Sequence, residues 1–485
     1  MSFTRKVALN TIVQIIGKVL TTLISLVLIA ALTRYLGVAG YGQYTTIFAF
    51  TQFFAVLADF GFFWFLVREI SKPAAPLEKI ANNVLTFRAF VALAFFAIAF
   101  LVGLLVPQYH DIRLGIGIIA AASFWMTLNG TYVGIFQNKL RMDKAALTDV
   151  WGRLVILGIV FWQIHIGTSL NQILWAYFLG NLFNFLASAM LGRIYLKFRL
   201  AFDFSYWREI FRECLPIAIV TILGLIYFKI DTVMLSLLRS PTDVGIYGPP
   251  YKIVEILVLF PAIFMGNVFP IVTGYIYAKD ERLGNAYQKS FDFLLMMALP
   301  IVVGVIMTAN RIIQLVAGDE FLSAQTISPV WGMQATSALS LQILIIAVGI
   351  SFLSHLFGYL VIALGKQTKL IWPNLFLVLF NVILNLLLIP KISYIGAALT
   401  TVLTEILVIF LYSQVMRRYV SLKINFGILW KVLFASIILG LSLKLLEFLS
   451  LWFLVPLGII VYFVSLWLVG GINKEMIREI IKIKS

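Results

Sequence analysis

The feature that most constrains this chain is a succession of long, continuously apolar runs. Most runs have about 20 residues or more, the length that a helix needs to cross a hydrocarbon core of roughly 30 Å. They do not alternate between apolar and polar residues, as the strands of a membrane barrel do. Hydrophobic residues make up 62% of the 485 residues and charged residues only 12%, a balance too apolar for a water-soluble domain of this size. The sequence therefore predicts an all-α polytopic membrane protein.

The apolar runs predict about 14 transmembrane helices, arranged as two series of six and a final pair. The first series covers residues 10–31, 44–66, 84–106, 113–136, 151–168 and 173–192. The second covers residues 215–238, 248–276, 289–310, 336–364, 370–390 and 394–416. The pair covers residues 428–446 and 450–471, and an amphipathic tail follows at 473–485. The predicted organisation is an N-terminal six-helix lobe (1–194), a cytoplasmic connector (195–214), a C-terminal six-helix lobe (215–418), and a last segment with two helices and the tail (419–485).

The distribution of Lys and Arg among the loops predicts the orientation, because cytoplasmic loops are richer in basic residues than external loops. With the N-terminus inside, the predicted external loops contain only Arg34, Arg113, Arg239, Arg311, Lys391 and Lys444. Both termini are therefore predicted to be cytoplasmic. The net charge of +16 follows from this loop pattern, which indicates contact with membrane lipids and not with nucleic acid.

Cysteine and histidine usage points to no metal site. Cys214 is the single cysteine and there are only three histidines, so the spacings typical of metal ligands do not occur. We expect no cofactor, and coupling of transport to H⁺ or Na⁺ stays open.

The two six-helix series are similar at their first loops. Residues 32–44 read LTRYLGVAGYGQY and residues 235–247 read LSLLRSPTDVGIY, so that Leu, Gly and Tyr recur 203 residues apart. Both segments follow the first helix of their series and lie on the same predicted side, as parallel repeats do. The sequence therefore predicts two pseudo-symmetric lobes.

Several segments carry a resemblance to a known family. They are TRYLGVAGYGQY at 33–44, LADFG at 57–61, FQNKLRMDKAAL at 136–147, DTVMLSLLRSPTDVGIY at 231–247 and NLLLIPKISYIGAALTTVLTE at 385–405. In this order they resemble the polysaccharide transporter family, the O-antigen flippases of the multidrug/oligosaccharidyl-lipid/polysaccharide exporter superfamily. The resemblance implies a fourteen-helix fold with alternating access, which exports a polyprenyl-diphosphate-linked oligosaccharide across the cytoplasmic membrane. It also implies the polymerase and glycosyltransferases of the same pathway as partners.

Five basic residues fall inside the predicted helices, where a charge that faces lipid costs at least a few kcal/mol. We expect them to face a cavity that binds the diphosphate, and arginine is the better ligand because it can donate two parallel hydrogen bonds. The candidate substrate-binding residues are Lys18, Arg88, Arg153, Lys229 and Lys252. The alternative for Lys18, Arg88 and Arg153 is that they lie near helix ends and extend to the interface.

Acidic residues inside the helices are candidates for ion coupling. We single out Asp231 and Glu255, because an ionisable residue within a span often belongs to a proton or sodium pathway. The alternatives are structural: an ion pair between Lys252 and Glu255 at i, i+3, and a cation on another helix as the partner of Asp231. For Glu405 we expect a buried hydrogen bond to a neighbouring polar side chain.

Three further polar residues have structural alternatives. For His355 we expect a packing role. Asn381 and Asn385, at i, i+4, fit either sugar binding or hydrogen bonds between helices.

Two rival functions remain at this stage. A multidrug or metabolite exporter of the same superfamily would need a more apolar or acidic cavity, which the five intramembrane cations disfavour. A membrane-embedded enzyme acting on a lipid-linked saccharide would need a cluster of catalytic carboxylates or a large polar loop, and the longest hydrophilic stretch has only about 20 residues.

Overall fold

The computed structural model describes residues 3–278, 280–420 and 424–471. Within these ranges the chain forms fifteen α-helices and two short 3₁₀ helices, and no β-strand. This confirms the all-α membrane fold that the apolar runs predict. The predicted amphipathic tail at 473–485 lies outside the described residues.

The chain divides into two compact units, residues 1–245 and 246–485. The first unit contains α1 (Phe3–Asp59), α2 (Phe62–Ile70), α3 (Leu77–Leu105), α4 (Arg113–Asn138), α5 (Met142–His165), α6 (Leu170–Gly192) and α7 (Phe204–Leu238). A 3₁₀ helix, Pro107–Ile112, joins α3 to α4. The boundary between the two units thus lies after α7, whereas the sequence predicts the boundary between the lobes in a connector before this helix. The predicted lobes stay a prediction.

The remaining helices lie in the second unit, except that α8 begins at the end of the first. They are α8 (Pro241–Leu257), α9 (Leu259–Ala278), α10 (Arg282–Ala317), α11 (Glu320–Ser323), α12 (Ser337–Ala363), α13 (Ile371–Arg417), α14 (Gly427–Leu445) and α15 (Leu451–Leu468). Helix α12 is the most buried of them and packs against α9, α10 and α13. A smaller apolar cluster joins α10 to α14 and α15 around Val432, Leu439 and Tyr462.

Three interruptions divide helices that are otherwise continuous. Gly37 (φ 65°) breaks α1, and Ile392 with Ser393 (φ 48°) breaks α13. Both breaks fall within predicted external loops. Phe60 (φ 47°) and Gly61 (φ 81°) separate α1 from α2, where the sequence predicts one helix over 44–66. Positive φ is incompatible with a right-handed helix, so the chain changes course at each of these points.

Eleven helical runs among the described residues are long and apolar enough to cross a membrane. Counting α1 and α13 as two helices each, because of their internal breaks, and adding the 35-residue α7 raises this number to fourteen. The total of fourteen spans stays a prediction. Large apolar side chains are exposed along most of these helices, as expected where lipid is the solvent.

Among the residues that the structure describes, two apolar clusters lie in the core of the first unit. One packs α2, α3 and α4 around Phe62, Phe65 and Phe136, and includes the buried Cys214 in the third turn of α7. The other packs the second half of α1 against α3 and α4 around Phe50, Phe96 and Ile116. These cores fix the helices on which the charged residues lie.

Candidate functional site

Arg153 lies at the centre of a polar cluster that joins α1, α5 and α6, which we call the Arg153 cluster. Its guanidinium donates to the Ser25 hydroxyl on α1 (3.0 Å) and forms an ion pair with Asp149, one turn earlier on α5 (3.4 Å). It also lies near enough to Tyr44 and Tyr177 to interact electrostatically with both. The two tyrosine hydroxyls are 2.7 Å apart. The side chain of Arg153 is 38% exposed, so a ligand can reach it.

The position of Arg153 along its helix differs from the sequence prediction. Helix α5 begins at Met142 and not at residue 151, because the charged first turns continue the helix beyond the apolar window. Arg153 is therefore about 16 Å along the axis from the helix start. The apolar part of the sequence still begins at residue 151, so extension of the Arg153 side chain to the interface stays open as the alternative.

Arg88 belongs to a second group, the Arg88 cluster, at the break between α1 and α2. It forms an ion pair with Asp59, the last residue of α1, and its guanidinium also donates to the Thr131 hydroxyl on α4 (3.3 Å). Gly130 packs against the Arg88 guanidinium, since a methyl group on Gly130 would be 2.7 Å from it. Arg88 is 2% exposed and thus faces no open cavity in this conformation.

Sequence reasoning missed the Arg88–Asp59 pair. The two residues are 29 positions apart on different helices, and no spacing rule connects them. The only signal in the sequence is that each is an isolated charge in an apolar run, which makes a mutual partner the least costly arrangement. Helix α3 begins at Leu77, so Arg88, like Arg153, lies about three turns inside its helix.

The other predicted site residues have varied environments. Lys18 is exposed on α1, among apolar side chains that are also exposed. Lys229 and Asp231 are both buried on α7. Lys252 forms an ion pair with Glu255 on α8 (2.8 Å), which is the structural alternative that their spacing predicts.

Polar residues inside the second unit form hydrogen bonds between helices and within them. Glu405 accepts from the Ser354 hydroxyl (2.9 Å), and Asn381 donates to Thr404 (3.2 Å). Asn385 donates to Asn381 (2.9 Å), and the ring of His355 bonds the carbonyl oxygen of Ser351 (2.7 Å). The structural alternatives given for Glu405, His355 and the two asparagines agree with these contacts.

The two repeated turns of the sequence contact each other through backbone atoms within the first unit. A methyl group on Gly42 would lie 1.7 Å from the carbonyl oxygen of Pro241, and one on Gly245 would lie 2.0 Å from that of Val38. The contact is reciprocal, because Val38 and Pro241 are 203 residues apart, as are Gly42 and Gly245. Equivalent positions that contact each other in this way are typical of a local two-fold arrangement. We call these four residues the glycine seam.

A cavity of about 230 Å³ lies beside the glycine seam. Its wall includes the hydrogen-bonded side chains of Tyr109 and Ser236 (2.8 Å). The rest of the wall is mostly polar and consists of Gln43, Thr46, Gln108, Asp111, Ile112, Arg239, Pro241 and Val244. The predicted topology places this cavity on the external side.

Comparisons with known proteins identify a family. The model of the family described as polysaccharide biosynthesis protein matches residues 7–275, and the MatE model matches residues 216–387. A probable low-salt glycan biosynthesis flippase, Agl15 of Haloferax volcanii, is 20% identical over 81% of this chain and 80% of its own length. A putative O-antigen transporter of Shigella flexneri is 21% identical over 64% of this chain and 77% of its own length.

Solved structures agree on the fold. The lipid II flippase MurJ in an inward closed conformation superposes with a TM-score of 0.74 at 15% identity, over 94% of this chain and 98% of that one. An inward-facing multidrug resistance MATE family transporter superposes with a TM-score of 0.64, also at 15% identity, over 83% of this chain and 96% of that one. The chain thus has the fold of these membrane transporters.

Proposed function

We propose, from the premise that this chain belongs to the polysaccharide biosynthesis protein family, that it exports a polyprenyl-diphosphate-linked oligosaccharide from the inner to the outer leaflet of the cytoplasmic membrane. The chain is a multi-pass membrane transporter of flippase type and not an enzyme. What we propose beyond this is the identity of the substrate, the direction of transport and the membrane in which it takes place. Both termini would be cytoplasmic, and the substrate would come from glycosyltransferases and pass to a polymerase of the same pathway.

The observation that carries this proposal is the side chain of Arg153, which lies in the middle of α5 and is 38% exposed. Its guanidinium donates to the Ser25 hydroxyl, and the mutually hydrogen-bonded hydroxyls of Tyr44 and Tyr177 lie within electrostatic range. A diphosphate needs a cation that donates several hydrogen bonds, and saccharide hydroxyls pair well with protein hydroxyls. The lipid tail of such a substrate stays in the bilayer, so only its polar head needs this path.

In this proposal Arg88 supplies a second cation, which binds the diphosphate only after a conformational change. Its partner Asp59 is the last residue before the α1–α2 break, where the backbone is free of the regular helical geometry. When this break moves, Asp59 withdraws and the diphosphate takes its place beside Arg88. A buried arginine without any anion is strongly unfavourable, so the exchange of one anion for another is the route of least cost.

The glycine seam supports alternating access. A transporter of this kind must close one side of its path while the other is open, and the seam is a contact that only glycine permits at two symmetric positions. We propose that the seam closes the external side and separates when the saccharide is released.

Coupling to H⁺ or Na⁺ stays part of the proposal, with Asp231 and Glu255 as the carboxylates concerned. Asp231 is 1% exposed, and Glu255 is already neutralised by Lys252. A change of protonation or of bound sodium at either residue would alter a buried charge balance, which is the requirement for coupling.

The rival function is export of cationic drugs. A cation entering the Arg153 cluster would meet its guanidinium, and like charges disfavour binding. The Asp149 carboxylate of the same cluster offsets part of this repulsion, so the two functions are separated by experiment.

The proposal is tested with Arg153→Ala in cells that have this chain as their only carrier for the lipid-linked saccharide. Loss of one charge-assisted contact, about 1.5 to 3 kcal/mol, should lower binding about 10- to 150-fold and cause unflipped saccharide to accumulate. Arg153→Lys should retain part of the activity, because it keeps the charge. Arg417→Ala, which removes an exposed arginine at the end of α13, is the matched control and should behave like the unaltered protein. Normal export by Arg153→Ala at equal expression would remove Arg153 from the mechanism.

A further inference from the structure

The segment between α6 and α7, residues 193–203, is fastened to α3 by its backbone; together with the start of α7, residues 204–212, we call it the strap. Three alternate N–H groups of the strap donate to side chains of α3: Arg199 to Asn82 (3.0 Å), Ala201 to Thr86 (3.1 Å) and Asp203 to Asn83 (3.1 Å). The side chain of Asn82 returns a bond to the carbonyl oxygen of Lys197 (3.2 Å). All three acceptor residues are buried. Residues 197–203 of the strap are therefore fixed in an extended form, while Leu196 and Ile210 on either side of them are buried in the core of the first unit.

The fixed strap leaves large apolar side chains in the open. Phe198, Leu200, Phe202 and Phe204 are each more than half exposed, and their even numbers place them on one side of the extended backbone or at its end. Beside them, Trp207 stacks on Phe87 of α3 with ring centroids 5.0 Å apart. Aromatic residues that are partly packed and partly exposed are typical of the membrane–water interface.

The strap also carries an excess of positive charge without internal partners. Its basic side chains are exposed, and none forms an ion pair with a residue that the structure describes; they are Arg193, Lys197, Arg199, Arg208 and Arg212. Of its two acidic residues, Asp203 pairs with Lys79 (3.3 Å), which leaves only Glu209 to offset five cations. Elsewhere on the same face Arg68 has a carboxylate partner, Glu213.

We propose that the strap is a binding surface for anionic phospholipids. Its phenylalanines and leucine enter the acyl region while the five cations bind phosphate groups at the headgroup level. An anionic leaflet attracts basic residues near the membrane surface, and apolar side chains among them add burial that a purely electrostatic contact lacks. The predicted orientation places the strap on the cytoplasmic side, where anionic lipids produce a negative surface potential. This proposal is independent of the transported substrate.

The first test measures lipid retention on the purified full chain by native mass spectrometry, with phosphatidylglycerol and phosphatidylcholine titrated in parallel. The triple variant Lys197→Gln, Arg199→Gln, Arg208→Gln should lose affinity for phosphatidylglycerol by roughly fivefold for each cation removed, with phosphatidylcholine unaffected. The control Arg34→Gln, Lys391→Gln, Lys444→Gln removes the same charge from exposed residues elsewhere and should retain phosphatidylglycerol. Equal retention by the strap variant, or equal loss by the control, overturns the proposal.

The second test locates the strap relative to the bilayer. A nitroxide attached through Phe202→Cys in a Cys214→Ala background, reconstituted in nanodiscs, should be accessible to oxygen and protected from a nickel chelate. The matched label at Ser205→Cys, a polar and exposed position on the first turn of α7, should be more accessible to the chelate. A Phe202 label as open to the chelate as the Ser205 label shows that the strap faces water. That result overturns the lipid proposal.

Discussion

The glycine seam gives the sharpest structural prediction. Gly42→Ala places a methyl carbon 1.7 Å from the carbonyl oxygen of Pro241, whereas an ordinary contact needs about 3.4 Å or more. The two turns must therefore separate by about 1.5 Å or more at this point. The obstacle is backbone on one side and a Cβ on the other, so no side-chain rotation relieves it. Overpacking of this kind typically costs about 1 to 3 kcal/mol, which shifts the balance toward the separated arrangement about 5- to 150-fold.

A buried thiol reports this separation. Val244 is fully buried and lines the cavity beside the seam, so Val244→Cys in a Cys214→Ala background should react slowly with a hydrophilic thiol reagent. Addition of Gly42→Ala should raise the reaction rate about 5- to 150-fold, and the reciprocal Gly245→Ala should act in the same direction. Export should fall in both variants, because the external side no longer closes fully.

Gly40→Ala is the matched control. It lies in the same turn, but its methyl group meets only the side chain of Leu36, at 3.1 Å. It should leave the reaction rate of Val244→Cys and the export rate close to those of the parent. If Gly42→Ala and Gly40→Ala label and export alike, the seam is not a closing contact and the reasoning is wrong.

Three further predictions concern the charged residues and the topology. Asp59→Asn leaves Arg88 buried without an anion, so the melting temperature in detergent should fall by an amount equivalent to roughly 3 kcal/mol. The double variant with Arg88→Gln should recover part of this loss. Equal melting temperatures of the parent and both variants would show that the pair does not stabilise the protein. The backbone N–H of Tyr206 and then the Lys79 ammonium lower the pKa of Asp203 below 3.8, so its stabilising effect is present at neutral pH and lost as the pH falls through the lowered value. Asp203→Asn should therefore flatten the decline in melting temperature below about pH 4, and an unchanged decline would exclude this residue. For the topology, Thr242→Cys in a Cys214→Ala background should react with an impermeant thiol reagent on intact cells, whereas Gln367→Cys in the same background should not. The reverse pattern would contradict cytoplasmic termini.

Much of the fold follows from the sequence, because hydrocarbon requires long helices and the apolar runs show where they lie. The helix starts do not follow so directly. Helix α5 begins at Met142, with Asp143 and Lys144 in its first turn, although the hydropathy of the run places its start at residue 151. Hydropathy detects the part of a helix in lipid, whereas hydrogen bonding and packing extend the helix into the polar region.

The candidate site is only partly readable from the sequence. The pattern identifies Arg88 and Arg153 as charges that need an explanation, but their partners Asp59 and Ser25 depend on how helices far apart in the chain pack. The two repeated turns can be predicted more fully from the sequence. The 203-residue spacing predicts two equivalent turns on one side, and the structure adds that Gly42 and Gly245 meet the opposite turn. Spacing reveals equivalence, whereas contact requires the packed structure.

The most direct test of the central claim is transfer of a lipid-linked saccharide by the purified chain in proteoliposomes. The vesicles contain a polyprenyl-diphosphate-linked oligosaccharide with a fluorescent sugar, and a membrane-impermeant reagent quenches only the sugars exposed on one face. The account predicts protein-dependent transfer that Arg153→Ala abolishes, that Arg417→Ala retains, and that an excess of a cationic dye does not inhibit. Transport of the cationic dye by the same vesicles, without transfer of the lipid-linked saccharide, would contradict it.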